Sequence, residues 1–122
     1  IVKLALGELK FRKMKNLRNS VTLIGRLGAN PEVKELGKEK AVAKISLATD
    51  DSYKNAKGEK VESTQWHTVV AWNRQAKFAE KYLTKGSQIA IEGKLVHRMY
   101  EDSKGEKKYI TEVIANEFLM LS

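Results

Sequence analysis

Thr64–Asn73 (TQWHTVVAWN) followed by Gln75–Lys85 (QAKFAEKYLTK) is the stretch that decides the fold. The first half repeats with period two. Gln65, His67, Val69, Ala71 and Asn73 share one face of a strand, and Trp66, Thr68, Val70 and Trp72 share the other. The second half changes period: Ala76, Ala79 and Leu83, with Phe78 and Tyr82, form one helical stripe. Gly86 stands where a helix C-terminal cap is expected. A strand that runs directly into a helix restricts what can lie on either side of it.

Upstream, Ser20–Leu27 alternates Val21, Leu23 and Gly25 with Thr22, Ile24 and Arg26, and reads as a half-buried strand. Gly28-Ala29-Asn30-Pro31, with the only proline, turns the chain. A short extended piece, Glu32–Leu36, leads to a polar turn at Gly37. Ala41–Thr49 is the second long strand, with Ala43, Ile45 and Leu47 on one face. Asp50–Ser63 (DDSYKNAKGEKVES) is poor in large apolar residues and reads as a long loop or a solvated hairpin extension. Loops of this length in compact domains tend to be functional or mobile. Downstream, Gln88–Tyr100 and Lys107–Met120 are two further strands, joined by a hairpin turn across Glu101–Glu106.

The order is three strands, one helix, two strands. An all-β, five-stranded Greek-key barrel with its one α-helix between strands 3 and 4 (the OB-fold) satisfies it. So does an open five-stranded sheet carrying a single packed helix, and strand pattern alone does not choose between them.

The chain has 122 residues, enough for one domain, and a formal net charge of +8. Its pI of about 9.7 points to a polyanionic partner, most simply nucleic acid. Lys3, Lys10, Arg12 and Lys13 against Glu8 give residues 1–13 a charge of +3, leaving +5 for 14–122. Position 1 is Ile, and Met14 has the look of an initiator. Residues 1–13 are therefore expected to be an added leader or an upstream extension, with a single domain over 14–122. No apolar run approaches the ~20 residues of a membrane helix, so no membrane partner is expected. The chain has no Cys, which excludes disulfide frameworks, zinc ribbons and thiol nucleophiles, and is compatible with the cytoplasm.

Catalytic chemistry finds little to use. His67 and His97 are the only histidines, and neither has a His or carboxylate neighbour at ligand spacing. A packing or interface role is expected for them, with no metal and no cofactor. No GxxxxGK or GxGxxG string cradles a phosphate.

The aromatics say more. Trp66 and Trp72, six residues apart on one strand, stand about 20 Å from each other on the same face. Tyr53 opens the polar segment beside Lys54, and Tyr100 closes a strand after Arg98. Rings flanked by cations suit single-stranded nucleic acid, whose bases stack while Lys and Arg hold the phosphates. Large aromatics are also commonly buried, and alternation leaves both readings open for the two tryptophans. Phe78, Tyr82 and Phe118 are expected in the core, and Tyr109 fits either role. Lys54, Lys57 and Lys60 are candidate phosphate contacts on the polar segment. Arg18, Arg26, Arg74, Lys94 and Arg98 lie on strands or at their ends. Lys94, Val96, Arg98 and Tyr100 share one face of the fourth strand. Lys77, Lys81 and Lys85 recur every four residues, as the wet face of a helix does.

Asn19–Pro31 (NSVTLIGRLGANP), Ala41–Asp50 (AVAKISLATD), Gln65–Val70 (QWHTVV), Tyr82–Gly93 (YLTKGSQIAIEG) and Tyr109–Asn116 (YITEVIAN) resemble, in order, the bacterial single-stranded DNA-binding proteins. The resemblance implies an OB-fold that assembles as a homotetramer and binds single-stranded DNA without sequence preference, in replication, recombination and repair. It implies base stacking on Tyr53, Trp66, Trp72 and Tyr100, and phosphate contacts from Arg74, Lys85 and Arg98, which lifts Lys85 above its helix row. It also places His67 at a subunit interface. Members usually continue into a flexible linker and an acidic tip that recruits replication and repair enzymes. This chain reaches Ser122 without one, as a truncated or tailless form would, so that recruitment is not carried over. The alternative function is a primosomal-type OB adaptor acting mainly through protein contacts, whose relatives tend to lack the aromatic set. An RNA-binding OB module differs only in sugar preference, and an enzyme is the least supported class.

Overall fold

Period-two burial runs through the long strands of the computed structural model, which describes residues 18–121. The expected leader 1–13 and Met14 lie outside the described residues. The elements are β1 (Val21–Leu27), β2 (Glu32–Gly37), β3 (Lys40–Asp50), β4 (Tyr53–Lys54), β5 (Lys60–Val61), β6 (Thr64–Trp72), α1 (Arg74–Tyr82), β7 (Gln88–Glu101) and β8 (Lys107–Met120). In β3 the inward set is Ala41, Ala43, Ile45 and Leu47, and in β7 it is Ile89 and Ile91. Together with Val69 and Ala71 of β6 they fill the interior.

The sheet order is β1-β7-β8-β6-β3-β2, and a further pairing of β1 with β3 closes it. That pairing, Arg26↔Ala48 and Leu27↔Leu47, sets aside the open-sheet alternative. The closed ring holds the five long strands expected from the sequence, with α1 between the third and fourth. β2, read above as a short extended piece, is a strand outside the ring, hydrogen-bonded to β3. All neighbours are antiparallel except β6 and β8, which run parallel through Val69↔Val113 and Val70↔Ile114.

Closure brings backbones very close. A side chain at Gly25 would strike the carbonyl of Ala48, and one at Gly93 the carbonyl of Ile114. Gly93 also adjoins an irregularity in the β7–β8 register, where the ribbon bends around the barrel.

α1 seats Ala76 and Ala79 on the barrel, small residues that let the helix approach the sheet closely. The helix ends at Tyr82, and Leu83 is already extended and buried. Gly86 is therefore not the cap. It sits in the following turn at φ +88, its N–H donating to the Leu27 carbonyl at 2.8 Å. Tyr82 also departs from expectation. It lies at the flank of the Ala76–Ala79–Leu83 stripe, so its half-exposed ring packs on Phe78 at 5.0 Å between centroids instead of entering the core. Phe78 and Phe118 do pack against the core, with near-parallel rings 6.0 Å apart.

Asp50–Ser63 is the hairpin extension. Tyr53 pairs with Val61 and Lys54 with Lys60, and the neck is tied by Asp51 N–H to the Ser63 carbonyl at 2.8 Å. Among the described residues no helix is long and apolar enough to cross a membrane.

Candidate nucleic-acid interface

Strand register assembles one outward face across β3, β6, β8 and β7. On β3, Val42, Lys44, Ser46 and Ala48 lie opposite Trp72, Val70, Thr68 and Trp66 of β6. The parallel β6–β8 pairing places Val70 beside Ile114, and Ile114 lies opposite Lys94 of β7. Further along, Val96 pairs with Glu112, Arg98 with Ile110 and Tyr100 with Lys108. Both tryptophans point out of the barrel, Trp66 61% and Trp72 47% exposed. The core reading left open for them is thereby excluded, since Val69 and Ala71 occupy the inward side of the same strand.

Trp66 is held by what lies under it. Its ring passes so close to Gly28 that a Cβ there would come within 2.5 Å of ring carbon Cζ3. Beside this face, where β3 meets the Ala29–Asn30 turn and the start of β2, is an open recess of about 310 Å³, lined by Ala29, Asn30, Glu32, Lys44, Ile45, Ser46 and Thr68. Asn30 also accepts the Lys85 N–H through Oδ1 at 2.8 Å, which ties Lys85 to the Gly28–Pro31 turn.

Tyr53, 58% exposed, stands with Lys54, Lys57 and Lys60 on the β4–β5 hairpin. At the hairpin tip, Asn55 Oδ1 accepts the Lys57 and Glu59 N–H groups at 2.9 and 3.0 Å, fixing the turn. At the neck, hydrogen bonds from the Ser52 hydroxyl and N–H hold the Asp50 carboxyl below the usual carboxylate range. Tyr100, 46% exposed, is on β7 in the Lys94–Val96–Arg98 row. Arg74 opens α1 two residues beyond Trp72. Arg18 precedes Asn19, whose side-chain amide bonds both the N–H and the carbonyl of Leu95 at 2.8 Å, anchoring Arg18 beside β7. Arg26 is otherwise engaged, donating through Nη1 to the Gly86 carbonyl at 2.9 Å.

Arg98 differs from the other cations of the face. Its Nε donates to Glu112 Oε1 at 2.7 Å and its Nη2 to Glu112 Oε2 at 3.3 Å. This contact with Glu112 raises the guanidinium pKa above its ordinary value. Both histidines have neutral partners: His67 Nε2 meets Thr49 Oγ1 at 3.0 Å, and His97 Nδ1 meets Thr111 Oγ1 at 2.8 Å.

Sequence reasoning missed three residues of this face. Lys44 falls outward by simple alternation in β3, but only register sets it between the two tryptophans. Gly28 reads as a turn residue, and nothing local announces the indole lying across it. Glu112 left no signal, because an isolated acid in a strand reads as solvated.

A closed five-stranded barrel whose third ring strand carries two exposed tryptophans, flanked by exposed Lys44 on the second and Arg98 and Tyr100 on the fourth, defines an OB-fold domain of the oligonucleotide-binding kind. The profile of the Single-strand binding protein family matches residues 18–121, and the chain belongs to that family. It is 42% identical over 104 residues to Single-stranded DNA-binding protein 1 of Chlorobaculum tepidum, covering 84% of this chain and 64% of that relative's length. Its fold is similar to that of a Plasmodium falciparum SSB solved in complex with ssDNA, with TM-score 0.74, 33% identity, and 85% and 95% of the two chains covered. It is also similar to a deletion mutant of the single-stranded DNA binding protein from Thermus aquaticus, with TM-score 0.73, 34% identity, and 85% and 50% covered.

Proposed function

We propose that this chain binds single-stranded DNA without sequence preference, stacking bases on exposed rings and holding phosphates with Lys and Arg. The observation that carries this reading is the pair Trp66 and Trp72, exposed on one face with Lys44 between them. A soluble domain rarely leaves two large indoles in water on one strand without a ligand for them. The relative from Plasmodium falciparum, solved with ssDNA, supports the same reading.

In this proposal Tyr53, Trp66, Trp72 and Tyr100 are stacking platforms. Arg18, Lys54, Lys57, Lys60, Arg74, Lys85 and Lys94 are phosphate contacts, and Arg98 is a guanidinium edge on the same path. The protein acts as a homotetramer in the cytoplasm, in replication, recombination and repair, over a single domain of residues 14–122, with His67 near a subunit contact. A primosomal-type adaptor would have no use for this aromatic set.

Titration with oligo(dT) is expected to quench tryptophan fluorescence and to weaken as salt rises. Stacking is worth about 1–3 kcal/mol per base, so Trp66→Ala with Trp72→Ala, which removes both tryptophans of the chain and is read by the anisotropy of a labelled oligo(dT), should weaken binding at low salt by about 30-fold or more. Unchanged affinity in that double variant would remove the stacking role.

A further inference from the structure

Glu112 is the one buried polar or charged residue in the described part of the molecule, and it lies within the aromatic and cationic face. The β7–β8 register sets it opposite Val96, one row from Arg98. Extending the β6–β8 pairing two residues back from Val70↔Ile114 sets it beside Thr68, which stands between the tryptophans. Its side chain is 6% exposed, and that of Arg98 is 55% exposed. A carboxylate withdrawn from water is tolerated when it is paired and hydrogen-bonded, and both of its oxygens accept from Arg98. A second ion pair, Lys108 with Glu106, is longer at 3.6 Å and exposed on both sides. Arg98 is therefore committed to Glu112 before any nucleic acid arrives.

Two consequences follow for the surface. Of the five guanidinium N–H donors, Nε–H and one on Nη2 are taken, leaving three in a plane whose orientation is locked. The charge of Arg98 is also balanced by a fixed neighbour, so the pair neutralises no phosphate and releases no counterion condensed on the nucleic acid. Resting on the single-stranded DNA reading, we propose that Glu112 is a positioning residue and a built-in attenuator of that surface. It orients Arg98 as a hydrogen-bonding edge and removes its net contribution to phosphate attraction, which keeps binding weaker and less salt-sensitive than the count of cations implies.

The test is an oligo(dT) titration, followed by tryptophan quenching from about 50 to 200 mM salt, on the wild type, Glu112→Gln and the neutral pair Arg98→Gln with Glu112→Gln. Melting curves for each protein report folding. Each phosphate neutralised on a single strand contributes about 0.7 to the slope of log K against log salt. Glu112→Gln should steepen the slope by about 0.7 and gain about 2.5-fold over the wild type between the ends of that range. The neutral pair should keep the wild-type slope. A folded Glu112→Gln protein with the wild-type slope would overturn the proposal. So would a neutral pair shallower by about 0.7, which still reads out if Glu112→Gln alone does not fold. A wild type that shows no quenching with oligo(dT) would instead bring down the single-stranded DNA reading itself.

Discussion

Trp66 and Gly28 show how one residue's role depends on another far away in the chain. The indole lies across Gly28, where a methyl group would come within 2.5 Å of the ring. Gly28→Ala should therefore displace the ring and leave the barrel intact, because the collision is with an exposed side chain and not with backbone. The expected result is an affinity for oligo(dT) at least about 5-fold weaker, with a changed tryptophan emission and a melting temperature close to wild type. Fluorescence titration and thermal denaturation check both parts. Parity told us that Trp66 and Trp72 share a face, but not which face. Val70 on the tryptophan side and Val69 on the other are both buried, so local hydrophobicity was balanced across the strand. Tyr82 failed for a related reason, since a helical stripe has a flank as well as a centre.

Among the elements, the β4–β5 hairpin is the most separable. It forms its own two-stranded sheet and joins the barrel through the neck at Asp51 and Ser63. Its tip and the β7–β8 tip use the same device: an Asx side chain accepting two backbone N–H groups, Asn55 in one and Asp102 in the other. Replacing residues 53–61 with a two-residue turn should leave the melting transition cooperative and near wild type. Affinity for oligo(dT) should fall, and its salt slope should become shallower by up to about 2, from the loss of Lys54, Lys57 and Lys60. A salt titration on the shortened protein measures this directly. The hairpin was legible only as a pair of options, loop or solvated extension, because two-residue strands carry no period to read. By contrast, β2 is a full strand where its polar sequence reads only as a short extended piece, because pairing to β3 supplies the regularity its sequence lacks.

For the whole molecule, closure and assembly are the relevant scales. Ile24 of β1, Ala90 of β7 and Leu119 of β8 form a cross-sheet row, with Ile24 and Leu119 more than half exposed. An apolar row of this kind suits burial against another copy of the chain. Light scattering is expected to give four times the 13.8 kDa chain mass, and Leu119→Lys should shift it toward smaller species without unfolding the barrel. The five ring strands, the helix between the third and fourth, and the alternation of the core are all legible in the chain, because each is a local periodicity in side-chain polarity. The sequence also determines which aromatics and cations are available. The remaining features come from the fold. Closure through Arg26↔Ala48 and Leu27↔Leu47, the outward aim of the tryptophans, the seat of Trp66 on Gly28, and the Arg98–Glu112 pair all depend on register between strands distant in the chain. Register is set by the packing of the whole barrel, and no window of sequence contains it.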